Sequence, residues 1–160
     1  HFTDRRQRQM CIRDSGCPGL ADPGADLVLL AHQSQIEVCP LVGPSSILLA
    51  LMASGLNGQQ FAFHGYLPID KQDCKKVIKK YERLSFQNNQ TQIFIETPYR
   101  SMRCFEMLIE QLSPRTLLSV ACDLNLSTEM IRTKSITEWT KGGLDLHKRP
   151  CIFLYIQPNA

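Results

Sequence analysis

Gly16-Cys17-Pro18-Gly19-Leu20-Ala21-Asp22-Pro23-Gly24, followed about twenty residues later by Gly43-Pro44-Ser45-Ser46, decides how this chain is read. Each phrase joins glycine and proline to a small or acidic residue, the composition of a strand-to-helix junction. Such junctions bring backbone amides close to a ligand. Two of them in succession point to a cofactor cleft rather than to ordinary loops.

Outward from these phrases, helix and strand patterns alternate, which predicts an α/β architecture. Asp22 can cap a helix with Pro23 at its first position, and Leu27, Val28, Leu30 and Ala31 give that helix an apolar side. Residues 36–39 read as a short strand ended by Pro40. Pro44 opens a second helix whose buried stripe would be Ile47, Leu48, Leu51 and Met52, with Gly55 as its C-cap. Residues 61–66 alternate as a strand. A helix from about Asp70 places Cys74, Val77, Ile78, Tyr81 and Leu84 on one face. Lys75, Lys76, Lys79, Lys80 and Arg83 occupy the rest, either as a solvated face or as an RNA-backbone contact.

Residues 92–95 form an apolar strand running into Glu96-Thr97-Pro98-Tyr99-Arg100. The following helix buries Phe105, Leu108, Ile109 and Leu112. Residues 117–121 and 152–156 read as buried strands, and 130–134 as a further one. Residues 43–160 thus form one complete mixed domain, and residues 16–42 the tail of an earlier one.

The 160 residues are 43% apolar and 21% charged, enough for a real core and against disorder. No apolar run reaches the roughly 18 residues of a membrane helix. The polar, Arg-rich start does not read as a signal peptide. No repeat stands out. Residues 1–15 look foreign: Met10-Cys11-Ile12-Arg13-Asp14-Ser15 resembles the translation of a sequencing-library adapter, which implies truncation before Gly16. They hold four arginines and two aspartates, and the remainder carries 14 basic and 13 acidic residues. The net charge of +3 therefore says little about nucleic-acid affinity. Seven cysteines, with no C-x-x-C pair and no histidine at zinc-like spacing, read as reduced and largely buried thiols of a cytoplasmic protein. No metal site is expected.

Taken in order, Gly16 to Gly24, Pro40-Leu41-Val42-Gly43-Pro44-Ser45-Ser46, Gly65-Tyr66-Leu67-Pro68 and Glu96-Thr97-Pro98-Tyr99-Arg100 resemble the tetrapyrrole methylase superfamily, and within it the ribosomal RNA small subunit methyltransferase I family. The resemblance implies S-adenosylmethionine bound in a cleft between two α/β domains, homodimerisation, and methylation of a cytidine ribose 2′-hydroxyl in small-subunit ribosomal RNA. It also implies an earlier Gly-rich loop upstream of Gly16. A chain lacking that domain would bind the cofactor poorly and expose apolar surface. By position, the resemblance places Glu96, Thr97, Ala121 and Pro150 in the cofactor pocket. Gly16 and Gly24 allow close backbone approach to the same cofactor, with Pro18 and Asp22 in that turn; Ser45 and Ser46 at a helix start can hold its carboxylate or ribose oxygen, and Ile47 can wall its adenine. Arg100 either pairs with Glu96 or meets RNA phosphate.

Each assignment has a plainer alternative. Asp22, Ser45 and Ser46 taken alone are helix caps. Glu96 can pair with Arg100 one turn on. His64 on a strand and Trp139 after a polar helix are structural by local logic. The sulfonium is an activated methyl donor, so the enzyme's main task is alignment. A general base would help a ribose hydroxyl. Glu96, His64 and Asp123 are the candidates, and none is singled out. Other readings are a methyltransferase of tetrapyrroles or of a diphthamide precursor, or a non-catalytic RNA- or partner-binding scaffold. Asp123-Leu124-Asn125-Leu126 stands where the ribosomal family more often has Arg-Glu-Leu-Thr, which keeps the scaffold reading open.

Overall fold

The computed structural model describes Cys17, Leu20, Ala21 and residues 24–159. Gly16, Pro18, Gly19, Asp22, Pro23 and the adapter-like segment lie outside the described residues. The chain divides into two compact units between Ser45 and Ser46.

In the first unit, helix α1 spans Ala25–Gln33. Gly24 precedes it at φ 150°, a left-handed conformation that costs glycine little and other residues much. None of its residues is buried, so the apolar side formed by Leu27, Val28 and Leu30 faces outward. Residues 36–39, expected as a strand, form no strand. A strand needs a ladder, and these residues have no partner among the described ones. The Cys17 thiol donates to the Gly43 carbonyl at 3.1 Å.

The second unit is built on a five-stranded sheet. Its strands are β1 (Phe61–Tyr66), β2 (Thr91–Glu96), β3 (Leu117–Cys122), β4 (Met130–Ser135) and β5 (Cys151–Ile156). Their spatial order is β1-β2-β5-β3-β4, with β1 and β2 parallel and the other pairs antiparallel. The apolar runs of β2, β3 and β5 suit central strands buried on both faces. Gly65, at φ +69°, sits where the β1–β2 register slips.

Helix α2 (Ser46–Ser54) covers one face, packing Ile47, Ala50 and Leu51 on Ile93, Ala121, Ile152 and Leu154. The expected stripe is corrected here. Leu48 and Met52 are exposed, while Ala50 and Ser54 are buried. The sequence SILLALMAS is apolar all round, so periodicity alone cannot choose its inner face.

Helices α3 (Lys71–Asn88) and α4 (Ser101–Gln111) cover the other face. There Cys74, Ile78, Phe105 and Leu108 pack on Phe94, Val120, Phe153 and Tyr155. Asp70 caps α3 through the amides of Gln72 and Asp73. The short helix α5 (Ile136–Trp139) opens with a capping box between Ser135 and Glu138. Trp139 is buried, donates to the Leu118 carbonyl at 2.8 Å and meets Phe105 edge-on. Its packing role is as the sequence indicated.

Candidate functional site

Strand direction gathers four of the predicted site residues at one end of the sheet. β2 ends at Glu96, β3 ends at Cys122, and antiparallel β5 begins at Cys151. Glu96 and Cys122 both pair in register with Cys151. Glu96, Thr97, Ala121 and Pro150 therefore share this end. Ser101 Oγ reinforces the junction, lying 2.9 Å from the Thr97 carbonyl and 2.7 Å from that of Arg149.

The pleat then separates the set. Ala121 points to the α2 face, in the apolar cluster that holds Ile47 and Ile152. Cys122 and Cys151 belong to the cluster on the opposite face, beneath α3 and α4. Ser46 is exposed at the start of α2 and Ser45 is buried. Gly24 and Ser45 belong to the first unit.

Glu96 is held within its own neighbourhood. Its Oε1 accepts from the Thr97 amide at 2.8 Å. Its Oε2 is buried and lacks a hydrogen bond, although Arg100 Nη2 lies 3.2 Å away. The guanidinium is turned instead to the carbonyls of Leu67 and Pro68, at 3.2 and 3.4 Å. Arg100 thus ties the start of α4 to the loop after β1, and its ion pair with Glu96 is the one that the plainer sequence reading allowed. Glu96 and Arg100 line a cavity of about 10 Å³ with Cys74, Cys104 and Met107. That is about one water in size and far below a cofactor's needs.

A larger opening lies on the α2 face. A groove of about 350 Å³ is lined by Leu49, Met52, Ala53, Leu124, Asn125, Glu129 and Ile131. Its volume is in the range of small-molecule sites. The hairpin between β3 and β4 supplies one wall. Asp123 and Asn125 are both left-handed there, at φ 52° and 64°, conformations that aspartate and asparagine tolerate better than most residues. The Asn125 amide donates to Glu129 at 2.7 Å. Sequence reading assigned none of these lining residues to a site. The only signal was the Asp123-Leu124-Asn125-Leu126 departure.

The candidate bases are engaged. The Asp123 carboxylate accepts from Arg149 Nε at 2.7 Å and from the Thr128 hydroxyl at 3.0 Å. His64 Nε2 lies 2.6 Å from Gln92 Oε1, and its ring stacks on Tyr81 at 3.7 Å. Burial holds the His64 pKa below its usual value, against the Gln92 hydrogen bond and with help from Lys80. The basic face of α3 is largely self-neutralised: Lys75 pairs with Glu110, Lys76 with Asp73 and Lys79 with Glu82. That pattern matches a solvated helix face better than a phosphate-binding stripe. Among the described residues no cluster of three histidine, cysteine or acidic side chains is placed to hold a metal. No described helix is long and apolar enough to cross a membrane.

Comparison with known proteins gives the same fold. No protein-family model matches the chain. It is 31% identical over 127 residues to ribosomal RNA small subunit methyltransferase I of Vibrio cholerae, spanning 79% of this chain and 43% of that protein. The Synechocystis protein of that name is 31% identical over 113 residues, covering 71% and 39%. That of Buchnera aphidicola subsp. Baizongia pistaciae is 29% identical over 146 residues, covering 89% and 49%. The chain spans less than half the length of these curated relatives. Among solved structures it is similar to the methyltransferase CobJ, with a TM-score of 0.56 at 18% identity over 89% of this chain and 62% of that one. Uroporphyrin-III-C-methyltransferase from Thermus thermophilus gives 0.52 at 18% identity, over 89% and 61%. The fold is α/β and tetrapyrrole methylase-like, and the chain is a relative of ribosomal RNA small subunit methyltransferase I.

Proposed function

We propose that this relative of ribosomal RNA small subunit methyltransferase I carries the C-terminal α/β domain of an S-adenosylmethionine-dependent enzyme that methylates a cytidine ribose 2′-oxygen in small-subunit ribosomal RNA. The observation that carries the reading is the 31% identity to the Vibrio cholerae protein across 79% of this chain. The ordered motifs from Pro40 to Arg100 support it. Cytoplasmic residence and a homodimer of the full-length protein belong to the same proposal.

The α2 face suits one wall of the cofactor site. Met52, Leu124 and Ile131 offer apolar surface to an adenine, and the Glu129 carboxylate offers charge complementary to a cationic donor. Ile47 and Ala121 lie in the apolar cluster on that side and support the wall. The cofactor, when bound, supplies an activated methyl group. The chain's own contribution is placement: the hairpin clamped by Arg149 and the Thr97–Ser101–Arg149 junction keep the sheet end rigid. Glu96 and Arg100 act in this reading as the brace beneath the site. Gly16, Pro18, Asp22, Gly24, Ser45 and Ser46 enter this proposal as cofactor contacts on the sequence motifs alone.

The test is transfer of labelled methyl from S-adenosylmethionine to small ribosomal subunits and to naked ribosomal RNA. It is run with this chain and with a chain of the relatives' full length. Label on a cytidine 2′-oxygen with the longer chain, and little with this one, is the expected result. Transfer to a tetrapyrrole and none to RNA would overturn the substrate assignment.

A further inference from the structure

We propose that Cys122 and Cys151 form an oxidisable dithiol, a modification site that closes to a cross-strand disulfide at the end of the sheet. The two residues are directly opposite in the antiparallel β3–β5 register, with their sulfurs 2.9 Å apart. The next bond along the ladder runs from the Asp123 amide to the Pro150 carbonyl, at 3.4 Å. That bond makes Cys122–Cys151 a non-hydrogen-bonded pair, the kind in which α-carbons approach to about 4.5 Å and side chains lie closest. Such a separation falls inside the range a disulfide spans without backbone movement. Pro150 has no N–H, so the reciprocal bond cannot form and the ladder ends there. The pair therefore sits at the last rung, where the strands part most easily.

The surroundings make the two sulfurs unequal. The Cys122 thiol is pushed up by its hydrogen bond to Cys151 and by burial, while that same bond, joined by Ser101 and the Arg149 guanidinium, holds Cys151 down. Cys151 is thus the nucleophile and Cys122 the resolving thiol. Both are buried, so the oxidant must be small, and hydrogen peroxide is of the right class. The Cys151 sulfur attacks one peroxide oxygen, the O–O bond breaks, and the other oxygen leaves as hydroxide and is protonated to water. Cys151 becomes a sulfenic acid. The Cys122 sulfur then attacks the Cys151 sulfur, forming the S–S bond. Hydroxide leaves and takes up the Cys122 proton as a second water. Two thiols lose two electrons and one peroxide gains them. Nothing in this chemistry depends on methyl transfer.

The experiment treats the whole chain with hydrogen peroxide, alkylates remaining thiols under denaturing conditions, and digests it without reductant. The expected product is one cross-linked peptide pair joining Cys122 to Cys151, lighter by two hydrogens and released by dithiothreitol. Its yield is independent of protein concentration. The oxidised chain melts at least about 5 °C above the reduced chain, as closure of a loop of this length implies. In Cys122→Ala the bridge is lost, and dimedone traps the sulfenic acid on Cys151. Recovery of both cysteines fully alkylated after peroxide would overturn the proposal. So would bridging of either one to Cys74 or Cys104 instead. The wild-type peptide map decides the matter even if the alanine variant does not fold.

Discussion

Arg149 Nε donates to the Asp123 carboxylate at 2.7 Å, so the residue before Pro150 clamps the first residue of the β3–β4 hairpin. Arg149 also reaches the Thr128 carbonyl, and Thr128 returns a hydroxyl to Asp123. Three groups from separated positions thereby fix a turn whose backbone is left-handed at Asp123 and Asn125. The pair is partly shielded, with side-chain exposures of 25% and 10%. Such charge-assisted bonds exceed the value of exposed pairs. Arg149→Met should cost about 1–2 kcal/mol in urea denaturation. If the groove beside this hairpin receives S-adenosylmethionine, the same substitution in a full-length enzyme raises the cofactor Kd by more than that stability loss explains. An unchanged Kd would separate the hairpin from the site.

Trp139 is the chain's single tryptophan, so its fluorescence reports unfolding of the sheet-bearing unit alone. Its indole N–H is the donor to a buried Leu118 carbonyl. Trp139→Phe keeps most of the apolar contact with Phe105 but removes the indole's hydrogen bond to that carbonyl, at about 0.5–1.5 kcal/mol. Trp139→Ala adds a cavity and should cost about 3–5 kcal/mol. Circular dichroism in urea, which needs no tryptophan, measures both. Equal losses for the two variants would mean that the hydrogen bond carries the whole effect.

The strands were legible because β2, β3 and β5 are apolar runs of strand length bounded by turn residues. α3 was legible because its charge and apolar residues segregate cleanly. α2 was legible as a helix but not in orientation, since no polar face marks its outside. Residues 36–39 have strand composition, yet composition cannot supply a partner. The site was harder. Glu96, Thr97, Ala121 and Pro150 do meet at one sheet end, but which face each takes depends on register, a property of pairs rather than of segments. The Asp123–Arg149 clamp and the Cys122–Cys151 pair join positions 26 and 29 apart in sequence, with no local pattern to announce them.

Glu82 is buried on α3, and its Oε1 accepts from the Thr116 hydroxyl at 2.7 Å and from the Ser113 amide. It therefore satisfies the polar groups of the turn that leads into β3. Glu82→Ala leaves the buried Thr116 hydroxyl and the half-buried Ser113 amide without this acceptor, and a loss of about 2–3 kcal/mol follows. Glu82→Gln retains an oxygen acceptor and should recover more than half of that loss. Chemical denaturation of the pair checks the order. A glutamine variant as weak as the alanine one would show that charge, rather than acceptance, matters here.

His64 gives the fold a pH dependence with a definite sign. Burial between Tyr81 and Phe94 disfavours its cation, and nearby Lys80 adds to that, so the folded pKa lies below the usual 6.5. Between those two pKa values the unfolded chain binds more protons than the folded one. Stability therefore rises with pH across that window. The contribution of His64 is complete above about pH 6.5 and is lost as the pH falls through the folded value. His64→Phe preserves the stack on Tyr81 and Phe94 and removes the titration. Urea midpoints at pH 7 and pH 5 should fall further for the wild-type chain than for the variant. If the two chains lose stability in parallel, protonation of His64 is not opposed by folding, and the ring is more open to solvent than its contacts with Tyr81 and Gln92 imply.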